Sequence, residues 1–377
     1  MKPILAGIVC LLAGIGGRAQ GEEAWKIRPT TAGIIAVANI DHAIVQYGDD
    51  PDVVDLLLAR SRYVGDFAAL DRAVRLTEPF AGTSADLVRR ARTRAAVHRF
   101  KDALADLKAA ERLGADRQAL LAARAAILIA TGHASEVVPQ LEEQVARRPG
   151  FSSSCALATA YAELGRFPEA DRQYVAALAG LGTTSPFPYA WVYFARGGMW
   201  SEQAMDPVRG KAMYEQAVAY LPQFPGANVH LSEIDVANGD IGPAMARLQR
   251  IVVESDDPEA VALLGRVEVL AGDKAHGLAR IDEARQRYDV LLMAYPLAFA
   301  DHAAEFYLGP GHDPGRAWTL ARLNLSNRRT YRALALAMRA ASASGHEKES
   351  CSLMEETKAM FGGSTNKVFL MRAAPRC

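Results

Sequence analysis

Apolar residues in the stretch Ser152–Leu178 recur three and four positions apart, the spacing of one face of an α-helix. Leu157, Ala158 and Tyr161 form one such stripe, Gly165-Arg166 interrupts it, and Phe167, Ala170, Tyr174 and Ala177 resume it. The pattern predicts two short amphipathic helices around a turn. Small Ala158 and Ala170 let them approach, and the aromatic rings fill the space beside them. The unit recurs along the chain: Gly65, His98, Gly132 and Gly165 stand 33, 34 and 33 residues apart, Gly239 and Gly272 stand 33 apart, and Gly345 marks a later turn. A helix pair of this size cannot bury its apolar face alone, so a period of about 34 residues predicts pairs stacked in a row.

Several segments follow the same reading. Ile34–Tyr47 is a helical pattern ended by the turn Gly48-Asp49-Asp50-Pro51. Asp52–Glu78, Ser84–Leu113 and Gln118–Arg148 read as the first three pairs, the last stopped by Pro149. From Gly165 to Gly239 the interval is 74, two periods with a few residues over, which predicts an insertion near 182–207. Ala227–Val253 and Glu259–Ala284 are further units. The apolar spacing from Leu278 to Tyr295 predicts one long helix stopped by Pro296. Phe299–Leu323 and Tyr331–Met360 close the series, for about nine pairs or near-pairs.

In its order of leucine, small residue, tyrosine, glycine, aromatic, alanine, tyrosine and alanine, Ser152–Leu178 resembles a tetratricopeptide repeat. The resemblance implies an all-α, right-handed superhelical solenoid of stacked antiparallel helix pairs over residues 52–361, after a lead-in and first helix at 20–51 and before a short tail at 362–377. Most of residues 30–345 resembles a group of exported bacterial tetratricopeptide proteins to which no activity is attached. The resemblance also implies that the first helix of each pair lines a concave surface. That makes Arg92, Tyr161, Glu163, Glu233 and Arg266 candidate partner contacts. The lysines and asparagines with which some family members clamp chaperone carboxyl tails are replaced here by Ala, Val and Thr, so that specificity is not carried over.

Composition narrows the function. Half the residues are hydrophobic, and Lys+Arg and Asp+Glu both total 43, so there is no general basic footprint for nucleic acid or an anionic membrane. Residues 1–19 have the shape of a cleaved export signal: one lysine, an apolar run from Pro3 to Ile15, then small Gly17 and Ala19. The run is too short to span a bilayer, so the mature chain is expected to be periplasmic or secreted without a stable membrane span. A Cys351–Cys377 bridge is one reading of the remaining cysteines; no bridge is the other.

The sequence holds no GxSxG, P-loop, HExxH or paired-cysteine spacing, and predicts no catalytic centre, cofactor or metal. His302 and Glu305 lie three apart with His312 in the next turn, which makes a metal-dependent enzyme or enzyme accessory the alternative. A structural assembly subunit is a third reading. The basic run Arg89–Lys101 reads as a solvated face. The densest aromatic cluster, Phe187, Tyr189, Trp191, Tyr193, Phe194 and Trp200, could line a pocket for a protein or peptide partner, or could be core sealing an irregular repeat junction. The leading expectation is a non-catalytic scaffold that holds a protein or peptide segment in its concave groove.

Overall fold

The computed structural model describes residues 30–361. The leader at 1–19 and the tail with Cys377 lie outside the described residues. Among the described residues there are nineteen α-helices and no strand. After α1 (Gly33–Tyr47) come antiparallel pairs. The first four are α2 (Val54–Val64) with α3 (Phe67–Thr77), α4 (Ser84–Ala96) with α5 (Phe100–Arg112), α6 (Arg117–Ala130) with α7 (Ala134–Arg147), and α8 (Phe151–Glu163) with α9 (Phe167–Ala179). Next are α10 (Phe187–Gly198) with α11 (Pro207–Tyr220), α12 (Pro225–Ala237) with α13 (Ile241–Glu254), and α14 (Pro258–Leu270) with α15 (Lys274–Ala294). The last two are α16 (Pro296–Leu308) with α17 (Pro314–Asn327) and α18 (Tyr331–Ala343) with α19 (Glu347–Phe361). The pairs stack into a right-handed superhelical solenoid.

The turn inside each pair explains the period. Every turn residue named from the sequence adopts a left-handed φ, from +56° at His98 to +98° at Gly272. The next amide then reaches back five residues. Arg166 N–H donates to the Tyr161 carbonyl at 2.8 Å, and the same bond runs from Arg99 to Arg94, His133 to Leu128, Asp240 to Asp235, Asp273 to Glu268 and His346 to Ala341. These bonds satisfy carbonyls that a helix end would otherwise leave orphaned. Two pairs depart from this: α16 and α17 turn at His312, φ +49°, with Asp313 N–H reaching back six residues to Tyr307, and α10 runs on into a π-helical turn at Met199–Gln203, with Met205 at φ +57°. The serines before Cys155 lie inside α8 rather than capping it. Gly150 is the cap, and the Ser153 hydroxyl donates to its carbonyl at 3.1 Å.

Within pairs, alanines at the crossing points are fully buried, among them Ala103, Ala158, Ala170 and Ala217. At α14 and α15 the approach is closer still: a Cβ on Gly265 would stand 2.6 Å from the Gly277 carbonyl oxygen, which only glycine permits. Cys155 is buried in α8, and Cys351 in α19 is disulfide-bonded.

The solenoid winds tightly enough to meet itself, and it does so in a repeating register. The α2–α3 turn sits on the link before α14, where Asp256 N–H donates to the Gly65 carbonyl at 3.0 Å. The α4–α5 turn sits on the first turn of α16 and the end of α17: His98 Nδ1 bonds to the Leu297 carbonyl at 3.0 Å, and Asn327 Nδ2 donates to the His98 carbonyl at 2.9 Å. The α6–α7 turn sits on the link before α18, through Arg329 N–H to the Thr131 carbonyl at 3.3 Å. Leu70, Val97, Leu291, Ala298 and Phe299 fill the seam between the first two contacts. The 21-residue α15 carries Leu291 into this seam, and just beyond it the Tyr295 hydroxyl donates to Asp71 at 2.8 Å.

The seam tolerates no side chain at Gly132, where a Cβ would lie 2.6 Å from the Arg329 carbonyl oxygen; Gly239 has an equally left-handed backbone but open space around it. Gly239→Ala should therefore lose only the backbone preference, about 1 kcal/mol. Gly132→Ala should lose that and the clash, about 2–4 kcal/mol in all. Urea denaturation of the two variants tests the seam, and equal losses would show that these contacts do not bear on stability.

Candidate functional site

Closure turns the concave side into a chamber lined by the first helices of successive pairs. Glu163 ends α8, Glu202 lies on the π-helical turn, and His230 and Glu233 are on α12. Asp257 caps α14 and Glu259 opens it, Asp301 and His302 are on α16, Arg328 precedes α18 and Arg332 is on it. Arg332 reaches across to Glu202 at 3.0 Å, joining the fifth pair to the ninth. These side chains are close enough to pair across the concave side, yet the side chain of Arg332 keeps 58 % of its surface accessible and that of His302 49 %. Both facts hold together only if the groups face a wet recess.

The contacts inside fall into three neighbouring groups. Glu202 accepts from the Tyr214 hydroxyl at 3.2 Å and lies 3.5 Å from His230 Nδ1. His230 stacks on Tyr214 with centroids 5.4 Å apart and bonds Glu233 at 2.9 Å. His302 Nδ1 is 3.4 Å from Glu259, and Arg328 pairs with Asp301 at 2.5 Å. Glu163 meets only the Gln203 amide, at 3.2 Å, and has no ion pair among the described residues.

The charges shift one another. Burial alone would push the His230 imidazolium down, but Glu202 and Glu233 outweigh it and lift the group to about 9. His302 is lifted to about 10 by Asp301 and Glu259, against the same burial. Burial would raise the carboxyls of Glu202, Glu259 and Asp301, but the neighbouring cations hold all three below the usual range. Asp257 moves up through burial and the adjacent Glu259. Glu163 also moves up, because burial exceeds what Arg332 and Arg328 return. His98, on the seam, goes the other way: burial and Arg328 push it down to about 4.

The residues singled out in the sequence fall into three groups. Glu163 and Glu233 line the chamber. Phe187, Tyr189 and Tyr193 are 3 %, 3 % and 5 % exposed. Tyr189 and Tyr193 stack on Tyr220, and Phe187 lies against Tyr63, so these rings seal the junction rather than face a partner. Phe194 packs against Phe224, and half-buried Trp191 lies edge-on to Tyr174. Trp200 donates to Asp171 at 3.2 Å under the Arg209 guanidinium. Tyr161 donates to Glu142 at 2.6 Å beneath Arg166, Arg92 pairs with Asp55 at 3.2 Å, and Arg266 is exposed.

His302, Glu305 and His312 are not brought together. Glu305 pairs with Arg339 and His312 forms the α16–α17 turn, while His302 faces Glu259. Among the described residues no group of three histidine, cysteine or acidic side chains is placed to hold a metal ion. The basic run is not a loose solvated face either. Arg89, Arg90, Arg94 and Arg99 pair with Asp52, Asp106, Glu78 and Asp102, and buried Asp106 bridges Arg90 at 2.6 Å and Arg94 at 2.8 Å. Beyond Glu163, Glu233 and His302 the chamber residues carried no signal in the sequence, because its charges are scattered singly over many repeats.

No protein-family model and no curated protein matches the chain. Among solved structures it is similar to the APC/C hetero-tetramer Cut9-Hcn1, at 16 % identity and TM-score 0.46, covering 91 % of this chain and 66 % of that one, just under two thirds. A tetratricopeptide repeat protein from Parabacteroides merdae gives 14 % identity and TM-score 0.40, over 67 % and 93 %. The human IFIT1 dimer with PPP-AAAA gives 14 % and 0.49, over 86 % and 77 %. The fold is tetratricopeptide-like. The helix pairs, their period and their turns, described above, carry that statement.

The histidines set a pH dependence. Unfolded, each titrates near 6.5. His98 stays neutral in the fold, so its contribution is full above 6.5 and falls as pH drops toward 4. His230 and His302 bind their protons more tightly in the fold, so their contribution is full below 6.5 and is lost as pH rises through 9 and 10. Stability from these three groups should peak near pH 6.5. Urea midpoints across pH 5–10 measure it, and His302→Gln should flatten the alkaline limb; an unchanged limb would remove the chamber histidines as its source.

Proposed function

We propose that this chain is a scaffold without catalysis of its own, taking a segment of a protein partner into the chamber on its concave side, and that the segment carries basic side chains. The observation behind this is the charge balance of the recess. Six carboxylates, on Glu163, Glu202, Glu233, Asp257, Glu259 and Asp301, stand against four cations, Arg328, Arg332 and the protonated His230 and His302, and Glu163 has no cation of its own within ion-pair distance among the described residues. Such a surface draws lysine or arginine side chains and repels a phosphate backbone, so a nucleic acid is not the occupant we propose.

We also place the scaffold in an exported, periplasmic or secreted setting. The leader shape in the sequence supports this, and so does the disulfide at Cys351, which persists in oxidising compartments. No helix among the described residues is long and apolar enough to cross a membrane.

A photo-activatable residue at Glu233, on the chamber, and another at Val208, exposed on α11, test the reading in the source cell. One protein should crosslink from the first position and not the second. Glu163→Lys should then weaken that partner's binding about tenfold, roughly 1.4 kcal/mol. Equal crosslinking from both positions, or unchanged binding by Glu163→Lys, would overturn it.

A further inference from the structure

Away from the chamber, a cleft of about 630 Å³ lies between α5, α6 and α7, within the size range of ligand pockets. Its floor is apolar: Leu107 is 2 % exposed, and Leu120 and Leu121 are half-buried. The space is there because α6 brings little volume to it, with alanine at 119, 122, 123, 125 and 126. The rim is exposed and basic, carrying Arg117, Arg124, Arg147 and Arg148 against Glu111 and Glu143.

The pairing on this rim is incomplete. Arg147 holds Glu143 at 2.6 Å and Arg124 approaches Glu111 at 3.8 Å. Arg148 meets only the Gln118 amide oxygen, at 3.5 Å, and among the described residues Arg117 and Arg148 have no carboxylate within 4 Å. In the preceding pair the arginines of α4 are held by carboxylates, Arg90 and Arg94 by Asp106 and Arg92 by Asp55. In a chain whose total charges cancel, two unpaired guanidinium groups over a leucine floor form a local site with a definite complement.

We propose that this cleft is a second docking site, for an acidic amphipathic segment of a protein partner. An apolar side chain of the segment rests on Leu107, Leu120 and Leu121, and its carboxylates take the forks of Arg117 and Arg148. No aromatic ring lines the cleft to stack a nucleobase, and the two glutamates on the rim disfavour a continuous phosphate backbone.

Fluorescence anisotropy with the full chain tests this, using three labelled probes: a twelve-residue peptide of alternating glutamate and leucine, the same peptide with lysine for glutamate, and a single-stranded oligonucleotide. The acidic peptide should bind saturably and the lysine peptide should not. Arg117→Glu with Arg148→Glu should weaken binding at least tenfold, while Arg112→Glu, an exposed arginine outside the lining, should leave it unchanged. Because the paired change could perturb α7, Arg117→Gln alone is measured as well, with circular dichroism on every variant; it should weaken binding severalfold with the helical signal intact. Failure of the acidic peptide to bind, equal binding of the lysine peptide, binding of the oligonucleotide alone, or indifference to the arginine changes would each overturn the proposal. So would light scattering that shows the site filled by a second copy of this chain.

Discussion

The structure depends on the seam where early turns rest on late links. In an open solenoid each repeat touches only its neighbours, and the inner surface is a trench. Here the turns at Gly65, His98 and Gly132 meet the link before α14, the start of α16 with the end of α17, and the link before α18, each through a backbone carbonyl. The consequence is geometric. Arg332 faces Glu202 because the start of α18 is held against the α6–α7 turn, and that approach requires the missing side chain at Gly132. Remove the seam and the chamber becomes a groove whose charges no longer see one another.

Electrostatics and geometry reinforce each other at this junction. His98 and His302 both answer to Asp301, yet their protonation is pushed in opposite directions. His98 lies beside Arg328, and its Nδ1 faces the Leu297 carbonyl. A carbonyl can only accept, so that nitrogen carries the proton and the neutral ring already satisfies the bond. His302 faces Glu259 and Asp301, for which only the charged ring is an adequate partner. The seam thus carries a neutral histidine and the chamber charged ones, because burial dominates in the first and carboxylates in the second.

This division also marks what the sequence could reveal. The turns were legible because each needs a left-handed residue at a fixed place in a 3.6-residue pattern, and glycine or histidine stands there in every pair but α10–α11. The long α15 was legible from apolar spacing, but its purpose was not, since Leu291 and Tyr295 serve contacts with Leu70 and Asp71 more than two hundred residues away. Closure left no periodic trace, because each turn contact ends on a backbone carbonyl, which any residue supplies. The aromatic density at 187–200 was plain, yet density does not say which way a ring faces, and Tyr189 and Tyr193 turn inward onto Tyr220. Glu163 and Glu233 were found through the rule that first helices line the concave side. Glu202 was missed because it lies on the irregular turn where that rule has no register.

The arginines make the same point about function. By sequence density the basic feature of this chain is Arg89–Lys101, and the later arginines of α6 and α7 are unremarked. The fold reverses the order. Asp52, Asp55, Glu78, Asp102 and Asp106 neutralise the dense run from α2, α5 and the links beside them, leaving little field for a partner to feel. Around α6 and α7, Glu111 of α5 approaches Arg124 and Glu143 of α7 takes Arg147, so Arg117 and Arg148 keep their field. What a charged side chain offers a partner is set by the carboxylates that neighbouring helices bring within about 4 Å, and that distance is a property of packing.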